Sequence, residues 1–291
     1  MKLQPECEAC ILAQVKTVAD MLNLPDHQRS VVLKDADVFM ETADRNATPP
    51  GTMVHVWGKL IDTLGGIDPY IEIKSRCNHE AMLLLPDAKN AIELSDDPLA
   101  FAMKYAIAGN LIDYSLKEPV TIEQQNARID AIVHTPFAID DFEKLRDTLK
   151  RSKTLLYLGD NTGEIVFDRL FIETILKYYP HLDVVFAVKG RAIMNDVLYN
   201  DAFEVGMDHI ARIIDNGDGA PGTVMSRVSE SFRREFELAD VVISKGQGNY
   251  ECLGGFNKEN LFFLFTSKCG SVCSEAGVPM HSMSCLKNRI L

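Results

Sequence analysis

The chain has 291 residues, 46% hydrophobic and 25% charged, which is enough for one large or two medium soluble domains with a substantial core. Its net charge is −12 and its pI is near 5.1, which argues against a nonspecific nucleic-acid or anionic-membrane binder, since phosphate contacts need a basic surface. A small phosphorylated substrate remains compatible, because it needs only a few local cations.

The opening MKLQPECEAC lacks the apolar run of a secretion signal, and no later stretch has the length of a membrane span. The expected compartment is the cytoplasm, and seven cysteines, an odd number, suit it better than a disulfide framework.

Apolar spacing predicts a mainly helical region over 1–150. Helices are expected at Cys10–Leu22, His27–Ala43 and Thr52–Leu64, with Pro49-Pro50-Gly51 as a turn between the last two. Leu99–Ser115 reads as a buried helix carrying Asn110 and Asp113 on one face. Asn110 is then either a packed helix residue or part of an active-site wall. Ile139–Arg151 reads as a charged helix leading into an α/β part, 151–291.

From Lys153 onward, apolar runs of strand length alternate with helical stretches long enough for crossovers. The runs are Thr154–Leu158, Val184–Val188, Ile210–Ile214, Val241–Ser244 and Leu261–Thr266. This predicts a Rossmann-like, three-layer α/β/α fold with a doubly wound parallel sheet. Right-handed crossovers bring the strand ends to one rim, where such sheets bind ligands.

The strand ends are rich in acids, amides, lysines and glycines. The first carries Gly159-Asp160-Asn161-Thr162-Gly163-Glu164 before the helix Ile165–Tyr178. The second carries Lys189-Gly190-Arg191 and then Asn195-Asp196; the third, Asp215-Asn216-Gly217-Asp218-Gly219. The fourth carries Lys245 to Glu251, and the fifth Ser267-Lys268-Cys269. Asp160, Asn161 and Asp196 form an oxygen-ligand set suited to a hard divalent cation, although Asp-Asn-Gly is also ordinary turn chemistry. Lys245 and Lys268 are point cations of the kind that hold phosphate, and a helix starting near Gly246–Gly248 offers free N–H groups to an anion. Metal, lysine and helix terminus together suit phosphoryl chemistry. Lys189 and Arg191 read as surface charges, and Glu164 as an acid favoured by its helix dipole. The Asp215–Gly219 loop lacks the EF-hand spacing, and neither a dinucleotide fingerprint nor a Walker A motif is present.

Cys7 and Cys10 form a CxxC, and Cys269 and Cys273 a CxxxC. Three readings stand: a four-sulfur zinc site, a redox pair at Cys7-Cys10, or unmetallated thiols. Cys77, Cys252 and Cys285 read as ordinary residues. The seven histidines form no HxH or HExxH, which speaks against a histidine-based zinc enzyme.

Taken together, Asp160-Asn161-Thr162-Gly163-Glu164, Gly190-Arg191 with Asn195-Asp196, Lys245 to Glu251 and Lys268-Cys269 resemble the metal-dependent damage-control phosphatases, formerly a domain family of unknown function and also called acidic-residue-methyltransferase-like. Cys7-x-x-Cys10 and Lys268-Cys269 are similar to those of its stand-alone prokaryotic subfamily, and Gly109-Asn110 with Asp113 also fits. The resemblance covers essentially the whole chain. It implies a divalent cation (Mn²⁺ or Ni²⁺ first, Mg²⁺ or Co²⁺ as alternatives) on Asp160, Asn161 and Asp196. It also implies phosphate contacts from Asn161, from Gln247, Gly248, Asn249, Tyr250 and Glu251, and from Lys268, with hydrolysis of phosphate monoesters such as sugar phosphates, nucleotides or damaged phosphometabolites. Asp160 and Lys268 are the expected catalytic groups, with Lys245 as a second cation; either a metal-activated water or Asp160 itself is the nucleophile. The chain departs from better-known eukaryotic relatives at Gln247, where they have Asp, and at Phe265-Thr266, where they have Arg-Thr, which bears on substrate identity. A methyltransferase using adenosylmethionine at Leu158-Gly159-Asp160, and a non-catalytic thiol-metal protein, are the rival expectations.

Overall fold

The computed structural model describes residues 1–111 and 121–290; Asp113 lies outside them. Three helices open the chain, α1 (Pro5–Met21), α2 (Asp26–Thr42) and α3 (Pro49–Thr63). Their apolar stripes close on one another around Val15, Trp57 and Leu60, a small core of their own. Pro49-Pro50-Gly51 is the first turn of α3, not a turn before it. Thr48 caps that helix by accepting the Gly51 N–H at 3.2 Å, and proline tolerates the first helical positions because their N–H groups have no intrahelical partner.

Helices α4 (Ile71–Leu94), α5 (Pro98–Ala108) and α6 (Ile122–Val133) follow, with a 3-10 turn at Gly109–Leu111 after α5. Asp97 caps α5 by accepting from the Ala100 N–H at 3.1 Å. The expected helix over Ile139–Arg151 divides into a two-residue strand, β1 (Ile139–Asp140), and α7 (Phe142–Arg151).

The five expected strands form as β2 (Thr154–Leu158), β3 (Asp183–Val188), β4 (Arg212–Asp215), β5 (Val241–Lys245) and β6 (Leu261–Thr266). They are mutually parallel, in the order β4-β3-β2-β5-β6. A strand not anticipated, β7 (Met283–Lys287), runs antiparallel to β6, and β1 pairs with β7 to complete seven strands. The first of the five parallel strands in the chain, β2, therefore neighbours both β3 and β5. This is the point where strand order reverses and the crevice beyond the carboxyl ends opens.

Period-two alternation sorts the sheet's side chains between two cores. Leu155, Tyr157, Val241 and Ile243 face α4, α5 and α8 (Glu164–Tyr178). Leu156, Leu158, Val242 and Phe263 face α10 (Glu230–Leu238), α11 (Gln247–Leu253) and α12 (Gly270–Ala276). The remaining helix, α9 (Tyr199–Glu204), follows β3. This three-layer α/β/α arrangement matches the expected class.

Candidate active site

The reversal point is shaped by glycines that admit close approach. At Gly159 a Cβ would meet the Phe186 ring at 2.7 Å, so only glycine lets the end of β2 lie against β3. Gly246, at φ 80°, follows β5, and a Cβ there would overlap the Asp160 carboxylate. The ends of β2 and β5 thus touch through Asp160.

Asp196 reaches Asp160 because the loop after β3 folds back. Asn161 and Asp196 form an isolated antiparallel bridge, the Val197 N–H donates to the Asp160 carbonyl at 2.9 Å, and the Thr162 N–H donates to the Asn195 carbonyl at 2.9 Å. Asp160, Asn161 and Asp196 line one cavity of about 390 Å³, together with Gln247, Gly248, Glu251, Lys268, Cys7, Cys10 and Cys269.

The electrostatics suit a cation. Burial first, then repulsion by Glu164 and Asp196, push the Asp160 carboxyl up to about 8, with Lys189 and Lys268 pulling it down. Burial also pushes Asp196 up to about 6 against the pull of Lys189 and Lys74. Asp196 Oδ2 is buried 3.5 Å from the Lys189 ammonium, an ion pair without a well-formed hydrogen bond. The Asn161 amide nitrogen is committed to Asp160 Oδ2 at 2.7 Å, which leaves its carbonyl oxygen available to a cation. Two under-compensated carboxylates and a free amide oxygen fit a hard divalent cation. Lys189, expected at the surface, is buried beside this set.

Asn110 does not line the cavity but is hydrogen-bonded to the acids behind it. From the turn after α5 its Nδ2 donates to Asp160 Oδ2 at 2.9 Å and to Glu164 Oε2 at 2.6 Å. The adjoining Gly109 makes this possible, since a Cβ there would meet the Phe167 ring at 2.8 Å. Glu164 does more than favour a helix end: its Oε1 holds the Lys245 ammonium at 2.5 Å.

Lys245 therefore departs from the expected phosphate contact. It shares the parity of Val241 and Ile243, so its side chain enters the α5–α8 face. There, fully buried, it pairs with Glu164 and Asp168 at 2.5 Å each and donates to the Ala106 carbonyl at 2.7 Å. Asp168 also accepts from the Tyr157 hydroxyl at 2.7 Å. Asn249 and Tyr250 likewise turn away from the cavity. Asn249 is buried, donating to the Lys245 carbonyl and accepting from Thr223, both at 2.8 Å. Tyr250 stacks on Phe265 with centroids 4.9 Å apart and meets Phe263 edge-on. The helix at this strand end, α11, is only seven residues long.

Of the expected 247–251 segment, Gln247, Gly248 and Glu251 face the cavity. Gln247 uses both ends of its amide: Oε1 accepts the Lys268 N–H at 2.7 Å and Nε2 donates to Glu251 at 2.8 Å. It thereby fixes the backbone of the Lys268 loop, leaving the exposed Lys268 side chain at the rim.

The thiols do not form a four-sulfur site. Cys7, Cys10 and Cys269 border the cavity, but Cys273 on α12 does not. Among the described residues no three His, Cys, Asp or Glu side chains are placed to hold a metal ion, and Cys7, Cys10, Cys269 and Cys273 form no disulfide. Burial pushes the Cys7 and Cys269 thiols up, which disfavours thiolate.

The chain matches the model of the damage-control phosphatase ARMT1-like domain over residues 3–283. It is 31% identical to damage-control phosphatase PH1575 of Pyrococcus horikoshii over 291 residues, covering 99% of each chain. It is 32% identical to a damage-control phosphatase of Archaeoglobus fulgidus over 286 residues, 97% of this chain and 98% of that one. The crystal structure of the P. horikoshii protein, described as a DUF89 family protein, superimposes with a TM-score of 0.93 over 99% of this chain and 100% of that one. The order of the motifs, the geometry of their assembly and these likenesses agree: the chain belongs to the damage-control phosphatase ARMT1-like family.

Proposed function

We propose that the protein hydrolyses phosphate monoesters of small metabolites, a metabolite damage-control activity, at the cavity beyond β2, β3, β5 and β6. The observation that carries this reading is the convergence of Asp160, Asn161 and Asp196 with Lys268 on one cavity. Asp160, Asn161 and Asp196 would hold a divalent cation, Mn²⁺ or Ni²⁺ before Mg²⁺ or Co²⁺. Such a cation supplies charge neutralisation and polarises a phosphoryl oxygen.

The chain's own residues supply the rest. Lys268 places a positive charge at the cavity rim, where it meets the non-bridging oxygens as their charge grows. Asn110 and Asn161 both donate to Asp160 Oδ2, which sets the orientation of that carboxylate. Gln247 fixes the Lys268 loop, and so the position from which Lys268 acts. The odd number of cysteines, seven, suits a reducing, cytoplasmic setting better than a disulfide framework. Among the described residues no helix is long and apolar enough to cross a membrane.

Purified protein with Mn²⁺ is expected to release phosphate from p-nitrophenyl phosphate, and Asp160→Ala is expected not to. Equal release by both proteins sinks the reading.

A further inference from the structure

The cavity has two unlike ends. One end is polar, with Asp160, Asn161 and Asp196, and Lys268 at the rim. Its outer wall is apolar and comes from elements outside the strand ends: Ile11 on α1, Pro49, Pro50 and Met53 on α3, Met194 on the returning loop, and Pro221.

Met194 is the most telling of these. It holds φ at 43°, a left-handed conformation that costs a residue with a long side chain and persists only where surroundings impose it. Its side chain packs against the α1–α3 core while lining the cavity two residues from Asp196. The strain keeps a thioether over the space beside the phosphate end.

Several polar groups lining the cavity beside that wall are already bonded within the protein. Gln247 has both amide ends bonded within the protein, and Glu6 accepts from the Ser271 hydroxyl. Gln14 offers one buried carbonyl oxygen without a partner. A sugar brings several hydroxyls, each needing a partner once it leaves water. An aromatic ring or compact aliphatic body needs none, and thioether sulfur packs well on ring edges.

Resting on the phosphatase reading, we infer that the preferred substrates are phosphate monoesters whose leaving group presents an apolar body, with room for one hydrogen-bond donor at Gln14, and that Met194, with Met53 and Ile11, is the specificity-determining wall.

The test compares 2-phenylethyl phosphate with glucose 6-phosphate in the full chain with Mn²⁺. Both are esters of primary alcohols, so the chemical step differs little between them and binding decides the ratio. Wild-type kcat/KM is expected to favour phenylethyl phosphate about tenfold or more, the range that apolar pocket contacts supply. Met194→Asn keeps a residue that tolerates the left-handed backbone. It is expected to raise KM for phenylethyl phosphate about tenfold with kcat held, and to move glucose 6-phosphate less than twofold. Met53→Ala, checked for an unchanged melting curve, should act in the same direction. A wild-type preference for glucose 6-phosphate, or substitutions that lower both substrates alike, overturns the inference and leaves the phosphatase reading standing. No phosphate release from either ester overturns both.

Discussion

Replacing Lys245 by methionine separates a structural ion pair from a phosphate contact. The substitution preserves length and apolar volume but leaves Glu164 and Asp168 facing each other at 1% and 0% exposure with no cation. Breaking a buried pair by removing one partner costs about 3–5 kcal/mol. At about 2.1 cal/mol/K of unfolding entropy per residue, a chain of 291 residues has roughly 0.6 kcal/mol/K, so the melting temperature should fall by about 5–8 °C at pH 8. The pH dependence has a definite sign. Burial already raises the Asp168 carboxyl to about 7, and Lys245 is the largest influence pulling it down. Without Lys245 that carboxyl rises further, so the variant loses stability as pH climbs from the unfolded carboxylate range through the folded value. The deficit should be largest at pH 8 and shrink toward pH 5.5, where the pair shares protons. Circular dichroism melts at both pH values, with phosphate-inhibition constants measured below the transition, decide the matter. A melting temperature within 2 °C of wild type, together with a several-fold loss of phosphate affinity, would refute the structural reasoning.

Other expectations concern the site's neighbours. Gly246→Ala places a Cβ into the Asp160 carboxylate at a positive φ, so it should abolish phosphate release while lowering stability by about 1–3 kcal/mol, read from activity and melts together. Mn²⁺ at about 100 times its Kd should stabilise the wild type by about 2.7 kcal/mol, roughly 4 °C, and Asp196→Asn should cut that shift to under 1 °C in a thermal-shift titration. Burial raises the Glu251 carboxyl from 4.5 to about 7, so wild type loses stability across that interval as pH rises. Glu251→Gln should therefore stabilise the protein by up to about 3 kcal/mol at pH 8 and by almost nothing at pH 4, measured by urea denaturation.

Much of the fold and the acid-and-amide part of the candidate site were legible from local pattern. Five apolar runs mark five parallel strands because a strand buried on both faces reads as a continuous hydrophobic stretch. Asp160, Asn161 and Asp196 stand out because chemistry in such folds gathers past strand ends. The short β1 and β7 escaped notice: β1 is two residues long, and β7, Met-Ser-Cys-Leu-Lys, lacks a long apolar run. Asn110 carried a signal in the Gly109-Asn110 pair, but the partner it meets is 50 residues away.

Sequence alone thus marked Asp160, Asn161 and Asp196 as oxygen donors following strands β2 and β3, because donor chemistry and strand periodicity are local properties. Which lysine reaches the cavity was decided only by tertiary structure. One more residue of β5 turns Lys245 to the α5–α8 face, where two carboxylates offset the cost of burying it, while Lys268 stays at the cavity rim. The apolar wall is likewise invisible in sequence, because Ile11, Met53 and Met194 are ordinary hydrophobic residues until α1, α3 and a strained loop set them over the Asp160–Asn161 turn. That turn, unremarkable by itself, becomes a site through what the chain folds around it.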